Sequence, residues 1–114
     1  LNPLPSFGQG TMTQAQYEAV LAANRPFGTS GQTQAARAWD KHDTSRPGGT
    51  YPPARGNQEA KNANAANFVN STVTNPNVVI TTLPRGGTEY RLPNGQGFRV
   101  EPNGNFNLLD PRNY

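Results

Sequence analysis

The sequence predicts one domain of the α+β class, in which N-terminal helices pack on a C-terminal antiparallel meander sheet of four or five strands. The chain has 114 residues, which is the size of a single domain. Its N-terminal part carries apolar residues at helical spacing, whereas its C-terminal part carries short alternating and β-branched runs. Helices that precede an antiparallel sheet in the chain usually cover one of its faces, which defines the α+β class.

The chain divides into a linker-like segment, residues 1–10, and a single folded domain, residues 11–114. The linker-like segment is rich in Pro and Gly and shows no hydrophobic periodicity. Leu1 and the residues after it have neither an initiator methionine nor the charge pattern of a signal peptide. We therefore expect a segment of a longer protein, with a disordered first segment as the alternative.

A first helix is predicted to begin after Thr13, because Thr13 can form a capping box with Gln16. Apolar residues then recur at helical spacing until Asn24, and Pro26 prevents the helix from continuing. The residues that define this spacing are Tyr17, Val20 and Leu21. The pattern indicates a short amphipathic helix.

Two further helices are predicted between Thr33 and Ser71. The second begins at the cap candidate Thr33, carries an alanine-rich cluster with Trp39, and ends near His42 before a breaker run at residues 46–53. The third runs from Asn57 to about Ser71 and contains many asparagines, which lower its intrinsic helix propensity. We expect packing against the rest of the domain to stabilise this third helix.

Four strands are predicted near the C-terminus, at residues 78–82, 88–92, 98–101 and 106–109. Pro, Asn and Gly fill the segments between them, and the Gly residues supply the positive φ angles of tight hairpins. Strands that are joined by consecutive hairpins form an antiparallel meander.

The second and third predicted strands have one apolar and one charged face, because side chains alternate along a strand. Tyr90 and Phe98 lie on the apolar face, whereas Arg91 and Arg99 lie with glutamates on the charged face. If the hairpin turns at residues 94–95, the two arginines approach each other and repel unless an anion lies between them. The charged face is therefore either a phosphate-binding surface or a solvated surface of cross-strand Arg/Glu pairs.

The charge of the chain indicates which class of partner it binds. Ten Lys and Arg against seven Asp and Glu give a formal net charge of +3, and eight of the ten cations are arginines. The guanidinium group donates two parallel hydrogen bonds to a phosphate or carboxylate, so we predict an anionic partner. The alternative is that the arginines pack their stems and form surface ion pairs without any ligand.

Several kinds of site are excluded by what the sequence lacks. Without cysteine the chain has no disulfide, no thiolate nucleophile and no cysteine zinc site. No apolar run approaches the roughly 18 to 20 residues that span a bilayer as a helix. Phosphate-loop and nucleophile-elbow motifs are missing, and Asp40 with Asp43 are too few carboxylates to argue a metal site. We expect no metal, no cofactor and no membrane contact.

The single histidine, His42, is the main candidate for chemistry. It follows Lys41 at a predicted helix end, between Asp40 and Asp43. An imidazole both takes and gives a proton near neutrality. Metal-independent RNA cleavage needs this property, because the 2′-hydroxyl loses a proton as it attacks the adjacent phosphate and the 5′-oxygen gains one. The alternative is a helix-terminal histidine that is stabilised by the helix dipole.

Segments spread over residues 33–111 resemble a known group of toxins. They include AWDKH at residues 38–42, RPGG at 46–49, the run RGGTEYRLPNGQGFR at 85–99, NGNF at 103–106 and LDP at 109–111. Together they resemble the C-terminal toxin domains of polymorphic bacterial effectors of the contact-dependent inhibition and Rhs types. Among these, the sequence is most similar to the ribonuclease toxins of the barnase, EndoU, colicin and RelE fold group.

The resemblance implies a secreted antibacterial toxin domain that is a metal-independent endoribonuclease. Such a domain cleaves tRNA by attack of a 2′-hydroxyl on the adjacent phosphate. It is delivered from the surface of the producing cell, acts in the cytoplasm of the target cell, and is neutralised in the producer by a cognate immunity protein. We expect that immunity protein to be acidic, because it has to cover a basic surface.

The resemblance also assigns roles to residues of this chain. It implies that His42 is the acid or base, and it implies phosphate contacts and hydroxyl partners around it. The implied catalytic set is His42, Arg91, Arg99, Thr88 and Tyr90, and the implied substrate-binding set is Lys41, Arg85 and Arg46. The EndoU pattern uses two histidines and a lysine, but this chain has one histidine. The second proton transfer therefore falls to Lys41, to Tyr90 or to the substrate.

Two other classes of function stay open on the sequence alone. One is a non-catalytic binding or adaptor module with a basic sheet face. The other is a toxin of the same delivery class that acts on DNA. DNA has no 2′-hydroxyl to act as an internal nucleophile, and its hydrolysis usually recruits metal ions. The composition therefore favours RNA over DNA as the substrate.

Overall fold

The helices precede the main sheet, as the sequence predicts. The computed structural model describes residues 13–111, so the predicted linker-like segment lies outside the described residues. The helices are α1 (Gln14–Asn24), α2 (Gln34–His42) and α3 (Gln58–Val73). Within the described part of the chain, no helix is long and apolar enough to cross a membrane.

The N-termini of the helices are capped by the residues that the sequence singles out. The Thr13 hydroxyl accepts from the Gln16 amide at 3.2 Å, and the Gln16 side chain accepts from the Thr13 amide at 2.7 Å, which completes the capping box. Thr33 caps α2 and Asn57 caps α3 through their side-chain oxygens. The prediction of all three helix starts is confirmed.

The main sheet is an antiparallel meander. Its strands, which pair in chain order, are β3 (Val79–Thr82), β4 (Thr88–Arg91), β5 (Gly97–Val100) and β6 (Phe106–Leu109). The sheet has four strands within residues 13–111, so the fifth strand that the sequence allows is not found there. Positive φ angles at Gly86, Gly95 and Gly104 form the predicted hairpin turns.

The sequence does not predict a small second sheet between α1 and α2. Its strands are β1 (Pro26–Phe27) and β2 (Gln32–Thr33), which pair in antiparallel fashion. Gly28 and Gly31, with φ angles of 66° and 85°, turn the chain between them. Two-residue strands are too short to show an alternating pattern, and this is why sequence periodicity misses them.

The core is small and rich in aromatic rings. Tyr90, Phe98 and Phe106 stack across β4, β5 and β6, with ring centroids 4.7 Å and 5.1 Å apart. A second group, Trp39, Tyr51 and Phe68, packs edge to face between the helices and the sheet. The apolar sheet face predicted from alternation is therefore the face that the helices cover.

Candidate active site

His42 is the last residue of α2, and the chain reverses direction after it. The carboxylate of Asp43 accepts hydrogen bonds from the Ser45 amide at 2.9 Å and from the Ser45 hydroxyl. Such a local side-chain bond favours a turn over a continued helix. The loop then returns to the helix end, where the amides of Thr50 and Tyr51 donate to the His42 carbonyl at 2.9 Å and 3.1 Å.

The returning loop needs a residue without a side chain at Gly49. A Cβ atom at this position would lie 1.9 Å from the Asp43 carbonyl oxygen. Any other residue would therefore push the loop away from the end of α2. The predicted breaker run therefore forms the loop that brings Thr50 directly beside His42.

An aspartate at the end of the sheet completes the group around His42. The Nδ1 atom of His42 lies 2.6 Å from Oδ2 of Asp110, and the Thr50 hydroxyl donates to Oδ1 of Asp110 at 2.6 Å. Asp110 follows β6 directly, and Pro111 after it favours an extended backbone at Asp110. A helix end, a loop and a strand end therefore meet at one carboxylate.

The Asp110 carboxyl is held in its charged form. Burial raises its pKa, but hydrogen bonds from Thr50 and His42 and the attraction of the imidazole outweigh burial and keep the pKa below its usual value. A carboxylate at Nδ1 keeps the ring proton on Nδ1, so Nε2 is the nitrogen that can accept a proton. Nothing else among residues 13–111 hydrogen-bonds to this ring, which is 29% exposed.

His42 lines a cationic cleft of about 170 Å³ between α2 and β6. Lys41 and Arg37 lie on the same wall, and Lys41 is the predicted substrate contact nearest to His42 in the chain. The other residues that line the cleft are Phe27, Gln34, Ala38, Asn105, Phe106 and Asn107. The cleft therefore combines a proton acceptor with positive charge, which is what a reaction at a phosphate requires.

Arg91 supports this group from the sheet. Its Nη1 atom donates to the carbonyl of Asp110 at 3.1 Å and to the carbonyl of Gly95 at 2.6 Å. Its Nε atom lies 3.4 Å from Glu89, and its side chain is only 11% exposed. The guanidinium group thus fixes the backbone that carries Asp110.

The two arginines of the charged sheet face are diagonal neighbours. The register places Arg99 opposite Glu89 and Arg91 opposite Gly97. Arg99 forms an ion pair with Glu101 at 2.8 Å, as Arg91 does with Glu89. Arg/Glu ion pairs, as in the structural alternative, are therefore present on this face, and these two join residues that are two positions apart in the chain.

The other predicted cations, Arg46, Arg85 and Arg99, are not among the residues that line the His42 cleft. Arg85 and Arg99 line a separate cleft of about 320 Å³ at the β3–β4 turn, together with Glu101. Arg46 lies in the loop after α2, where its Nε donates to the Asp40 carbonyl at 2.9 Å. A role for these three arginines in binding phosphate stays a prediction.

Thr88 and Tyr90 lie on the sheet face that packs against α1. Tyr90 is 2% exposed, and its hydroxyl donates to the carbonyl of Ala15 at 2.7 Å. Burial, and secondly the charge of Glu18, raise the pKa of Tyr90 to about 12. Thr88 borders a cleft beside α1 together with Tyr90. The structure therefore does not bring these two hydroxyls to His42.

Three residues that form this site are not predicted from the sequence, namely Thr50, Asp110 and Arg37. Thr50 and Asp110 are 60 positions apart, and His42 and Asp110 are 68 positions apart. No spacing rule for a helix or strand connects positions so distant. The only sequence signal for Asp110 is its place in the LDP run that contributes to the family resemblance.

Within residues 13–111, no cluster of three or more His, Asp or Glu side chains could hold a metal ion.

Comparison with protein families identifies the class of this chain. The family model of the CdiA C-terminal tRNase toxin domain matches residues 20–109, from within α1 to the end of β6. The chain therefore belongs to this family, and it is an antibacterial toxin domain with tRNase activity that is delivered from the surface of the producing cell. No curated protein and no solved structure matches the chain. His42 lies within the matched region, and Asp110 is the residue directly after it.

The effect of pH on stability tests the charge at Asp110. We expect Asp110→Asn to lower the free energy of unfolding at pH 7, because the folded state holds the aspartate pKa below its unfolded value of about 3.9. The carboxylate stabilises the fold above that unfolded pKa, and this contribution is lost as pH falls through the folded-state pKa. Urea unfolding of both proteins should therefore give free energies that converge in acid. A constant difference at every pH would contradict this origin.

Proposed function

We propose that the domain cleaves tRNA through attack of a 2′-hydroxyl on the adjacent phosphate, with His42 as the general base. The observation that carries this proposal is the 2.6 Å contact between Nδ1 of His42 and Asp110. It orients the imidazole and leaves Nε2 as the proton acceptor beside a cationic cleft. RNA that enters this cleft would bring its phosphate next to a base and two cations.

The proposed reaction transfers two protons. Nε2 of His42 takes the proton of the 2′-hydroxyl, and the 2′-oxygen forms a bond to phosphorus. The bond from phosphorus to the 5′-oxygen breaks, and the leaving oxygen takes a proton from Lys41. Lys41 is favoured over Tyr90 for this second transfer because it lines the same cleft as His42, whereas the Tyr90 hydroxyl is buried against Ala15.

Asp110 and Thr50 act as positioning residues in this proposal. Asp110 holds the tautomer and orientation of His42, and it stabilises the imidazolium that forms when the base takes its proton. Thr50 and Arg91 hold Asp110, one through the carboxylate and the other through the carbonyl. Loss of Asp110 or Thr50 would slow catalysis because His42 loses its orientation, and not because a contact with the substrate is lost.

Cleavage of purified tRNA tests the role of His42. We expect His42→Ala to slow cleavage by about 100- to 10,000-fold, because this is the usual contribution of a general base. The partly exposed helix-end position should leave the variant folded, although loss of the contact to Asp110 lowers its free energy of unfolding. Circular dichroism at the assay temperature checks that it is folded. The reaction is run in EDTA with total bacterial tRNA and followed on a denaturing gel.

Lys61→Ala provides a matched control for the cation in this assay. Lys41→Ala should slow cleavage, whereas Lys61→Ala, which removes the other lysine of the chain on α3, should not. Cleavage by His42→Ala at the wild-type rate would remove His42 from the mechanism. If the wild-type domain cleaved no tRNA in the presence of EDTA, the metal-independent reaction would be contradicted.

We further propose that the toxin acts in the target-cell cytoplasm and that an acidic immunity protein neutralises it in the producer. The net charge of +3 and the two arginine- and lysine-lined clefts provide a surface that an acidic partner would recognise. Occlusion of the His42 cleft would block RNA entry directly. We expect an interface of about 1,200 to 2,000 Å² that extends from the charged sheet face to His42.

Hydrogen exchange with and without the immunity protein tests this mode of inhibition. We expect protection at the C-terminal end of α2 and at the start of β6, which together form the His42 cleft. The charge reversal Lys41→Glu should slow association, because complementary charge mainly raises the association rate. Protection that is confined to α1 and α3, with the His42 cleft left open, would refute direct occlusion.

A further inference from the structure

The cleft beside His42 ends at an exposed aromatic ring. Phe27, in the β1–β2 hairpin, is 38% exposed although it is a large apolar side chain. The guanidinium carbon of Arg37 lies over this ring, 5.2 Å from its centroid. Aromatic rings and guanidinium planes are the two protein surfaces on which unpaired RNA bases stack.

The hairpin that carries Phe27 is firmly held. The side-chain amide of Asn62 on α3 accepts from the Thr33 amide at 3.2 Å and donates to the Gly31 carbonyl at 2.8 Å. The side chain of Gln32 donates to Asp40 on α2 at 3.0 Å. Phe27 is therefore presented by a fixed element, which lowers the entropic cost of binding a ligand on it.

Hydrogen-bonding groups without protein partners lie in the same cleft. Asn105 and Asn107 line it, and their side-chain amides form no hydrogen bond with any group in residues 13–111. The Nε atom of Arg37 is buried and likewise has no hydrogen-bond partner in this part of the chain. A side-chain amide offers a donor and an acceptor together, which is what the edge of a nucleobase pairs with.

We infer that this cleft binds one unpaired nucleotide of the RNA substrate, the one next to the scissile phosphate. Its base stacks on the Phe27 and Arg37 pair, and its edge bonds to the amides of Asn105 and Asn107. Its phosphate lies against Lys41 and His42. The inference rests on the proposed function only for the identity of that phosphate, since the cleft would bind a nucleotide whether or not His42 is the base.

Titration of the domain with small nucleotides tests this site directly. The four 3′-nucleoside monophosphates and inorganic phosphate are added to the isotope-labelled domain and followed by NMR. We expect at least one nucleotide to bind more tightly than phosphate, with shifts in α2, β6 and the β1–β2 hairpin. Phe27→Leu should lower the affinity for that nucleotide by about 5- to 100-fold and leave phosphate binding unchanged, because only the ring face is lost.

Three further variants keep the test specific. Phe27→Trp keeps a ring and should retain the nucleotide affinity, whereas Leu21→Ala removes a similarly exposed apolar side chain on α1 and should change nothing. Lys41→Ala should lower the affinities for the nucleotide and for inorganic phosphate by similar factors. Nucleotides that bind no more tightly than phosphate, or a Phe27→Leu protein with wild-type affinity, would overturn the inference.

The two proposals fail in different ways. A His42→Ala protein that binds the nucleotides as predicted yet cleaves tRNA normally would contradict the catalytic proposal and support the nucleotide site. Cleavage that depends on His42, without any preference of the cleft for nucleotides over phosphate, would contradict the nucleotide site alone.

Discussion

The hydroxyl of Tyr51 is the contact on which the candidate active site depends. Tyr51 is 1% exposed, and burial raises its pKa, so the hydroxyl keeps its proton. It donates to the Leu109 carbonyl at 2.5 Å and accepts from the Gly97 amide at 3.1 Å. Thr50 precedes this tyrosine and Asp110 follows Leu109, so one anchor positions both neighbours of His42. A small aromatic core therefore fixes polar groups that are far apart in the sequence.

The fold could be predicted because its signals are local. Capping residues such as Thr13 and Asn57 mark helix starts through bonds that span three residues. Glycines such as Gly95 mark hairpin turns through their own φ angles. The β1–β2 hairpin also has turn glycines, Gly28 and Gly31, but its two-residue strands are too short to show alternation, and residues of other elements, Asn62 and Asp40, hold them in place. Contacts of that kind exist only after the helices have packed.

The candidate site could be predicted only in part, for the same reason. Residue type and position at a helix end predict His42 as the acid or base and Lys41 as a substrate contact, and the structure places both in one cleft. Tyr90 also stood out as a reactive hydroxyl, but the alternation that puts it on the apolar face buries that hydroxyl under α1. Asp110 carries no local signal, because its role depends on where β6 ends relative to α2.

The chemical ends of the tRNA fragments test the central claim most directly. Attack by a 2′-hydroxyl leaves the phosphate on the upstream fragment, whereas attack by water can leave it on either side. Mass spectrometry of fragments formed in EDTA should therefore show 2′,3′-cyclic phosphate ends and 5′-hydroxyl ends. Fragments with 3′-hydroxyl and 5′-phosphate ends would contradict a reaction in which His42 activates the 2′-hydroxyl.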